Sequence, residues 1–340
     1  MNPYFDRSKP HHTPEGFKNN DPAAQEKGFG AFARWQWERL RNGMPPAKPQ
    51  TATPVTAPDL AFVSANAKAG AAMQPAITWV GHSTMLVQAN GLNVLTDPVF
   101  SERASPVQFA GPKRAQPPGL RIDQLPAIDV VLISHNHFDH LDLPTLRMLD
   151  ARDQPRVIVP LGNRPLVARA MPASTVTEHD WGAAVPLRGD AVLHLEPMLH
   201  GSGRSPLDQQ RTLWAAFVLK AAGLKLYHVG DSGYGDGRHF RDAAAKHGGF
   251  DLVMLPIGAY EPASFMADAH MSPAQAVKAA GDARAARAMA HHFGAFQLGF
   301  ESFEAPVEDL LVALKAASLP AEAFPALQPG QSITVRPSKP

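Results

Sequence analysis

The sequence predicts an α/β fold in which two mainly β layers are covered by helices, with loops at one edge of the sheets carrying the chemistry. Three observations point there. An early group of strand-like runs contains the turn Asn90-Gly91, a strong hairpin signal. Later in the chain, apolar β-type runs alternate with helical ones. Between the two regions the apolar run Asp129-Val130-Val131-Leu132-Ile133 leads straight into Ser134-His135-Asn136-His137-Phe138-Asp139-His140, a dense polar loop at the end of a buried strand.

With 340 residues and 44% hydrophobic content the chain can build a sizeable core, in one large domain or two smaller ones. Lys+Arg 32 against Asp+Glu 31 leaves a formal charge of +1, which gives no global field for nucleic acid. Cysteine is absent, which excludes disulfides, thiolate metal ligands and a cysteine nucleophile, so any metal must use N and O donors. The start Met1-Asn2-Pro3-Tyr4-Phe5-Asp6-Arg7 lacks the apolar core of a secretory signal. No apolar stretch approaches the roughly 18 to 20 residues of a membrane span. A cytoplasmic protein is the expectation.

Residues 1–74 read as an extension and 75–340 as the folded domain. The extension has a polar start, a helix expected over Phe29 to Arg41, and a Pro/Ala/Thr-rich stretch from Met44 to Pro58 expected to be extended or irregular. On that helix Phe29, Phe32, Ala33, Trp37 and Leu40 share one face, opposite Arg34, Glu38 and Arg41. Such a face suits docking on the main domain or, alternatively, a peripheral membrane contact with the aromatics in the headgroup region.

Strands are expected at Ile77 to Val80, Thr84 to Ala89 and Leu92 to Thr96, the last two joined by Asn90-Gly91. Further strands are expected at Asp129 to Ser134, Arg156 to Pro160, Ala191 to Pro197, Thr212 to Lys220, Lys225 to Val229, Asp251 to Ile257 and Ala286 to Ala290. Helices are expected at Leu143 to Leu149, Arg238 to His247, Pro273 to Ala280 and Val307 to Ala317. Ser272 serves the third as N-cap, with Pro273 in its first turn.

Imidazole nitrogen and carboxylate oxygen suit Zn²⁺, and a short loop leaving a buried strand can turn alternate side chains toward one point. His135 and His137 would serve one ion, Asp139 and His140 a second. A dinuclear site needs further ligands from distant loops, and the chain supplies them. His200 precedes the flexible Gly201-Ser202-Gly203, and Asp231 closes a strand in Gly230-Asp231-Ser232-Gly233, where it could bridge both ions. After Ala288-Met289-Ala290 comes His291-His292, of which strand alternation admits one; periodicity alone does not choose. His82 and His270 also lie at element ends. Either could orient a ligand, and His270 could bind a leaving group or supply a proton. His11, His12, His179, His194, His239 and His247 read as structural or exposed.

The ordered set His135-x-His137-x-Asp139-His140, His200, Asp231 and a late His resembles the metallo-β-lactamase-fold hydrolase superfamily. Longer blocks narrow the resemblance: Asp97-Pro98-Val99-Phe100-Ser101-Glu102-Arg103, Gly111-Pro112-Lys113-Arg114, Gly230-Asp231-Ser232-Gly233-Tyr234 and Pro256-Ile257-Gly258-Ala259-Tyr260-Glu261-Pro262 look like the N-acyl-phosphatidylethanolamine-hydrolysing phospholipase D branch and its bacterial relatives. Across roughly Ile77 to Val335 the resemblance implies an αββα sandwich with the metals at one sheet edge. It implies two Zn²⁺ per chain, with iron or manganese as alternatives: His135, His137 and His200 on one, Asp139, His140 and His292 on the other, Asp231 bridging. It selects His292 because Phe293-Gly294 follows, and it places His270 near the active site. Asp231, Asp139 and His270 then carry the catalytic roles. The expected reaction is attack of hydroxide on a phospholipid phosphodiester, giving phosphatidic acid and an N-acylethanolamine. A lactonase or another soluble ester or phosphodiester hydrolase of the same fold is the alternative, and a lipid-binding scaffold the non-enzyme one. A homodimer is implied by resemblance only. The loop His200-Gly201-Ser202-Gly203-Arg204 departs from the animal enzymes in lacking the aromatic that follows this ligand.

Overall fold

Successive side chains of a strand point to opposite faces, and β-type runs such as Val130-Val131-Leu132 and Leu252-Val253-Met254-Leu255 are apolar at every position, so each sheet must be covered on both sides. The structure, a computed structural model describing residues 1–21, 37, 41, 43 and 56–338, does this with four layers. The first sheet uses β1 (Ala76–Gly81), β2 (Thr84–Ala89), β3 (Leu92–Thr96), β4 (Val130–Leu132), β5 (Arg156–Pro160) and β6 (Val176–His179). The second uses β7 (Ala184–Pro186), β8 (Val192–Glu196), β9 (Ala216–Ala221), β10 (Leu224–His228), β11 (Leu252–Pro256) and β12 (Ala288–His291). The chain then returns to the first sheet with β13 (Ser332–Thr334), giving the orders β13-β1-β2-β3-β4-β5-β6 and β12-β11-β10-β9-β8-β7. β3 to β6 run parallel, as do β10 to β12, while the early strands of each sheet pair antiparallel.

Ile77, Trp79, Met85, Val87, Val130 and Leu132 of the first sheet meet Leu193, Phe217, Leu226, Leu252, Met254 and Met289 of the second to form the central core. The alternate residues Val80, Leu86, Leu95 and Val131 pack outward on helices α1 (Leu60–Ala67), α2 (Leu143–Arg152) and α3 (Arg164–Ala170). On the far side Val218, Tyr227 and Val253 pack under α4 (Arg238–His247), α6 (Pro273–Asp282) and α7 (Ala305–Ala316); the short α5 (Ala263–Met266) lies between α4 and α6 in sequence. This is the αββα sandwich. α6 starts as expected, with Ser272 accepting from Gln275 N in a reciprocal capping box.

Two strands are shorter than their apolar runs. The expected strand from Thr212 begins only at Ala216, because Leu213 N and Ala215 N donate to Leu161 O and Ser134 O, at the ends of the first sheet's strands. Likewise the run Asp129 to Ser134 pairs as a strand only over Val130–Leu132, and Ser134 N donates to the Asp97 carboxylate at 2.7 Å. Both departures occur where the sheets open toward one edge, and the polar loops gather there. The helix expected over Phe29 to Arg41, apart from residues 37 and 41, and nearly all of the Pro-rich stretch from Met44 lie outside the described residues. Residues 1–21 pack against the sandwich, with Phe17 1% exposed beside Leu213 and Trp214.

Candidate metal centre

The loop after β4 turns sharply, with His140 N and Leu141 N both donating to His137 O. Its side chains separate into two groups. His135 Nε2 and His200 Nε2 stand 2.9 and 3.2 Å from His137 Nδ1. Nearby, Asp139 Oδ2 lies 3.2 Å from His292 Nε2 and 3.5 Å from His140 Nε2. Asp231, delivered by the glycine-flanked turn after β10, places Oδ2 3.0 Å from the Nε2 atoms of both His140 and His292 and 3.9 Å from His200 Nε2. All seven residues predicted as ligands are therefore brought to one sheet edge.

Hydrogen bonds on the far side of three rings decide which nitrogen faces inward. The Ala269 carbonyl can only accept, so His200 Nδ1 donates to it at 2.9 Å and Nε2 carries the inward lone pair. Ser134 Oγ gives its proton to Asp97 Oδ2 at 2.7 Å and can accept from His135 Nδ1 at 2.9 Å. His140 Nδ1 donates to the same Asp97 oxygen at 2.8 Å.

The donor set fits divalent cations. Two imidazole nitrogens each about 2.0–2.1 Å from a tetrahedral ion stand roughly 3.3 Å apart, close to the spacing found among His135, His137 and His200. His140 Nε2 and Asp231 Oδ1 are buried without a hydrogen-bond partner. For a carboxylate oxygen that can only accept, such a position calls for a cation or a donor. Burial would raise Asp139 and Asp231, but His140, and beside it His292, holds both carboxyls well below the usual range. Burial pushes His135 and His200 well below the ordinary imidazole value. Against burial, Asp231 and Asp139 raise His140 well above that value and His292 to about 9, so a cation bound here would displace a proton from each of these two rings, since neutral imidazoles and ionised carboxylates are the ligand forms.

The family model described as "Beta-lactamase superfamily domain" matches residues 92–293, a span containing all seven side chains. The chain belongs to the metallo-β-lactamase-fold hydrolases. An uncharacterised protein of Mycobacterium tuberculosis is 35% identical over 311 residues, covering 89% of this chain and 79% of its own. N-acyl-phosphatidylethanolamine-hydrolyzing phospholipase D 1 of Caenorhabditis elegans is 35% identical over 248 residues, 71% of this chain and 69% of its own. Among solved structures, a metallo hydrolase of Ignicoccus hospitalis has the same fold, at TM-score 0.58 and 17% identity, over 78% of this chain and 100% of its own. Within the superfamily the chain falls in the branch resembling that phospholipase D, and it is a metal-dependent hydrolase.

Of the histidines left open by pattern, His292 enters this hydrolase's centre and His291 does not. His291 is the last residue of β12 and faces Ser83 Oγ at 3.3 Å and the His228 ring at 5.1 Å. His292 then adopts a left-handed φ of 59°, which breaks strand alternation, and its N–H donates to His82 O. His82 donates from Nε2 to Asp139 Oδ2 at 2.9 Å, as a residue that orients a ligand would. His270 Nδ1 lies 3.9 Å from Asp231 Oδ2, with its side chain 14% exposed. Asp97 was missed as a site residue. Its signal is a lone carboxylate just past β3, in Thr96-Asp97-Pro98, at a positive φ of 37°.

Proposed function

We propose that this chain is a dinuclear phosphodiesterase of the phospholipase D type, acting on lipids like N-acyl-phosphatidylethanolamine to release phosphatidic acid and an N-acylethanolamine. The observation that carries the dinuclear reading is the Asp231 Oδ2 oxygen, 3.0 Å from His140 Nε2 and His292 Nε2 and 3.9 Å from His200 Nε2, which stands between the two ligand groups. His135, His137 and His200 would hold one ion and Asp139, His140 and His292 the other, with Asp231 shared. Zn²⁺ suits these N and O donors, as iron or manganese also can. Bound in pairs, such ions supply positive charge against phosphoryl oxygens and lower the pKa of water toward about 7.

The chain's own groups do the positioning. Asp97, Ser134 and the Ala269 carbonyl fix three imidazole tautomers, so the inward lone pairs need no rearrangement. Burial lowers His270 to about 3, so at neutral pH its ring is uncharged. From the accessible side of the site it can donate a hydrogen bond to the departing oxygen or take a proton. Phe109 and Leu207 are 83% and 89% exposed. They lie on the two loops bonded to the His135–His140 segment and its C-terminal end, through Asp142 and through Arg204. With Arg103 and Lys113 on the same loop as Phe109, they suit peripheral contact with a lipid surface.

The test is a metal-reconstituted screen of phospholipid vesicles, lactones and nucleotide diesters in ¹⁸O-labelled water, with products weighed by mass spectrometry. The label should enter the phosphatidic acid, marking P–O cleavage. Activity confined to soluble lactones, or label on the carboxylate of a fatty acid, would replace this reading with the lactonase or esterase alternative. Less than one ion per reconstituted chain would revive the scaffold.

A further inference from the structure

The segment His11-His12-Thr13-Pro14-Glu15-Gly16-Phe17-Lys18-Asn19 has no part in the ligand set, yet it ends against it. Asn19 meets the His200 backbone as a paired partner: Nδ2 donates to His200 O at 2.8 Å, and Oδ1 accepts from His200 N at 3.2 Å. The same Oδ1 also accepts from Trp214 Nε1 at 3.2 Å. The primary amide thus satisfies both backbone groups of a residue whose ring nitrogen points at His137.

The approach to Asn19 is anchored in three places. Asp180 accepts from His11 Nε2 at 2.7 Å and from His12 Nε2 at 3.1 Å, with Lys9 on the same carboxylate. Phe17 fills the outer core and its N–H donates to Gln210 O at 2.8 Å. Gly16 lies so close to that carbonyl that an added Cβ would stand 2.0 Å from it. Gln210 in turn receives Ser202 N on its side chain and donates its own N–H to Ser202 O, so the strap and the ligand loop share a support.

We infer that Asn19 is a positioning residue for the metal centre, through which the N-terminal segment fixes the backbone of His200. The inference rests on His200 being a ligand, as proposed above. Backbone fixation on one side and the Nδ1–H to Ala269 bond on the other leave the imidazole little freedom to swing away from His137. Loss of such an outer partner weakens metal binding by about ten- to a hundredfold.

The experiment compares the full-length wild type with Asn19→Ala, Asn19→Asp and, as a control for general destabilisation, Val63→Ala in the helix packed on the opposite sheet. Zn²⁺ affinity is measured by chelator competition, the visible spectrum is recorded after Co²⁺ loading, and melting temperatures are taken without metal. Asn19→Ala should lose at least about tenfold in the affinity of one ion and alter the Co²⁺ bands. Asn19→Asp keeps the acceptor but faces the His200 carbonyl with oxygen, and should fall in the same direction; it also serves if the alanine variant does not fold. Val63→Ala should lower only the melting temperature. If both Asn19 variants keep wild-type Zn²⁺ affinity and Co²⁺ spectrum, Asn19 merely holds the fold and the inference is overturned. If the wild type itself takes up no ion, the proposed function fails first, and the inference with it.

Discussion

Asp97 Oδ2 receives the Nδ1–H of His140 at 2.8 Å, and both side chains are fully buried. The same carboxylate takes Ser134 N on Oδ1 and Ser134 Oγ on Oδ2, each at 2.7 Å. One acidic side chain therefore sets two inward-facing imidazoles, His140 directly and His135 through Ser134. An amide at this position has one accepting oxygen and turns N–H donors against other donors. Asp97→Asn is expected to lower zinc affinity by about ten- to a hundredfold and to destabilise the metal-free protein by about 1–3 kcal/mol. Chelator competition and denaturant unfolding check the two effects separately. Unchanged affinity would mean that the His140 tautomer does not depend on Asp97.

Asp139 and His292 meet at 3.2 Å, and His82 donates to the same Asp139 oxygen at 2.9 Å. Burial and the neighbouring His292 bring His82 down to about 4, so its ring is neutral and Nε2–H is the donor. Asp139→Asn and His292→Ala should each reduce turnover by several orders of magnitude, since each would remove a proposed ligand. His82→Phe should keep two ions per chain and lower kcat by roughly tenfold, the lower range for loss of an outer hydrogen bond. Metal analysis of the purified variants separates the cases: a His82→Phe chain with one ion fewer would make His82 a ligand in its own right.

The dense loop was legible because its candidate ligands are adjacent in sequence. His200, Asp231 and the pair His291-His292 were legible because each ends a strand or adjoins a glycine turn, a local signal; the family resemblance, not that signal, picked His292 from the pair. Asp97 and Asn19 act through contacts 43 and 181 residues away in sequence, and neither stands in a pattern that names its target. The layers were similarly readable from the early hairpin and the later alternation of β-type and helical runs, but three of the short strands, Val176–His179, Ala184–Pro186 and Ser332–Thr334, were not expected. Each carries only three or four residues, too few for a period to stand out, and tertiary pairing defines them. The choice between His291 and His292 needed more than alternation, because the left-handed turn at His292 suspends it.

Gly258 runs directly beneath that turn, and a Cβ there would stand 2.1 Å from the His292 carbonyl oxygen. Backbone cannot yield as a flexible side chain does, so Gly258→Ala must displace one of the two loops. The expected cost is about 1–3 kcal/mol, in the range of overpacked sites, together with weaker binding of the ion that His292 would hold. Unfolding of the metal-free variant and its ion content at limiting zinc provide the readouts. A variant as stable as wild type with both ions bound would place the strain elsewhere.

Asp180 gives the pH dependence of the N-terminal strap. Burial would raise its carboxyl, but the hydrogen bonds from His11 and Lys9 outweigh this and hold it well below the usual carboxylate range. A depressed folded value means that the unfolded chain takes up the proton first as pH falls. The stabilisation is therefore complete above the unfolded value of about 3.9 and is lost as pH drops through that value toward the folded one. Asp180→Asn should accordingly be less stable than wild type by about 2 kcal/mol at pH 6, with the gap closing below about pH 3. Melting curves of chelator-treated protein, taken from pH 7 downward so that acid release of metal does not contribute, check the sign. A gap that stays constant to low pH would assign the loss to packing around Trp181 and His11, whose rings stack at 4.4 Å, and not to the charge.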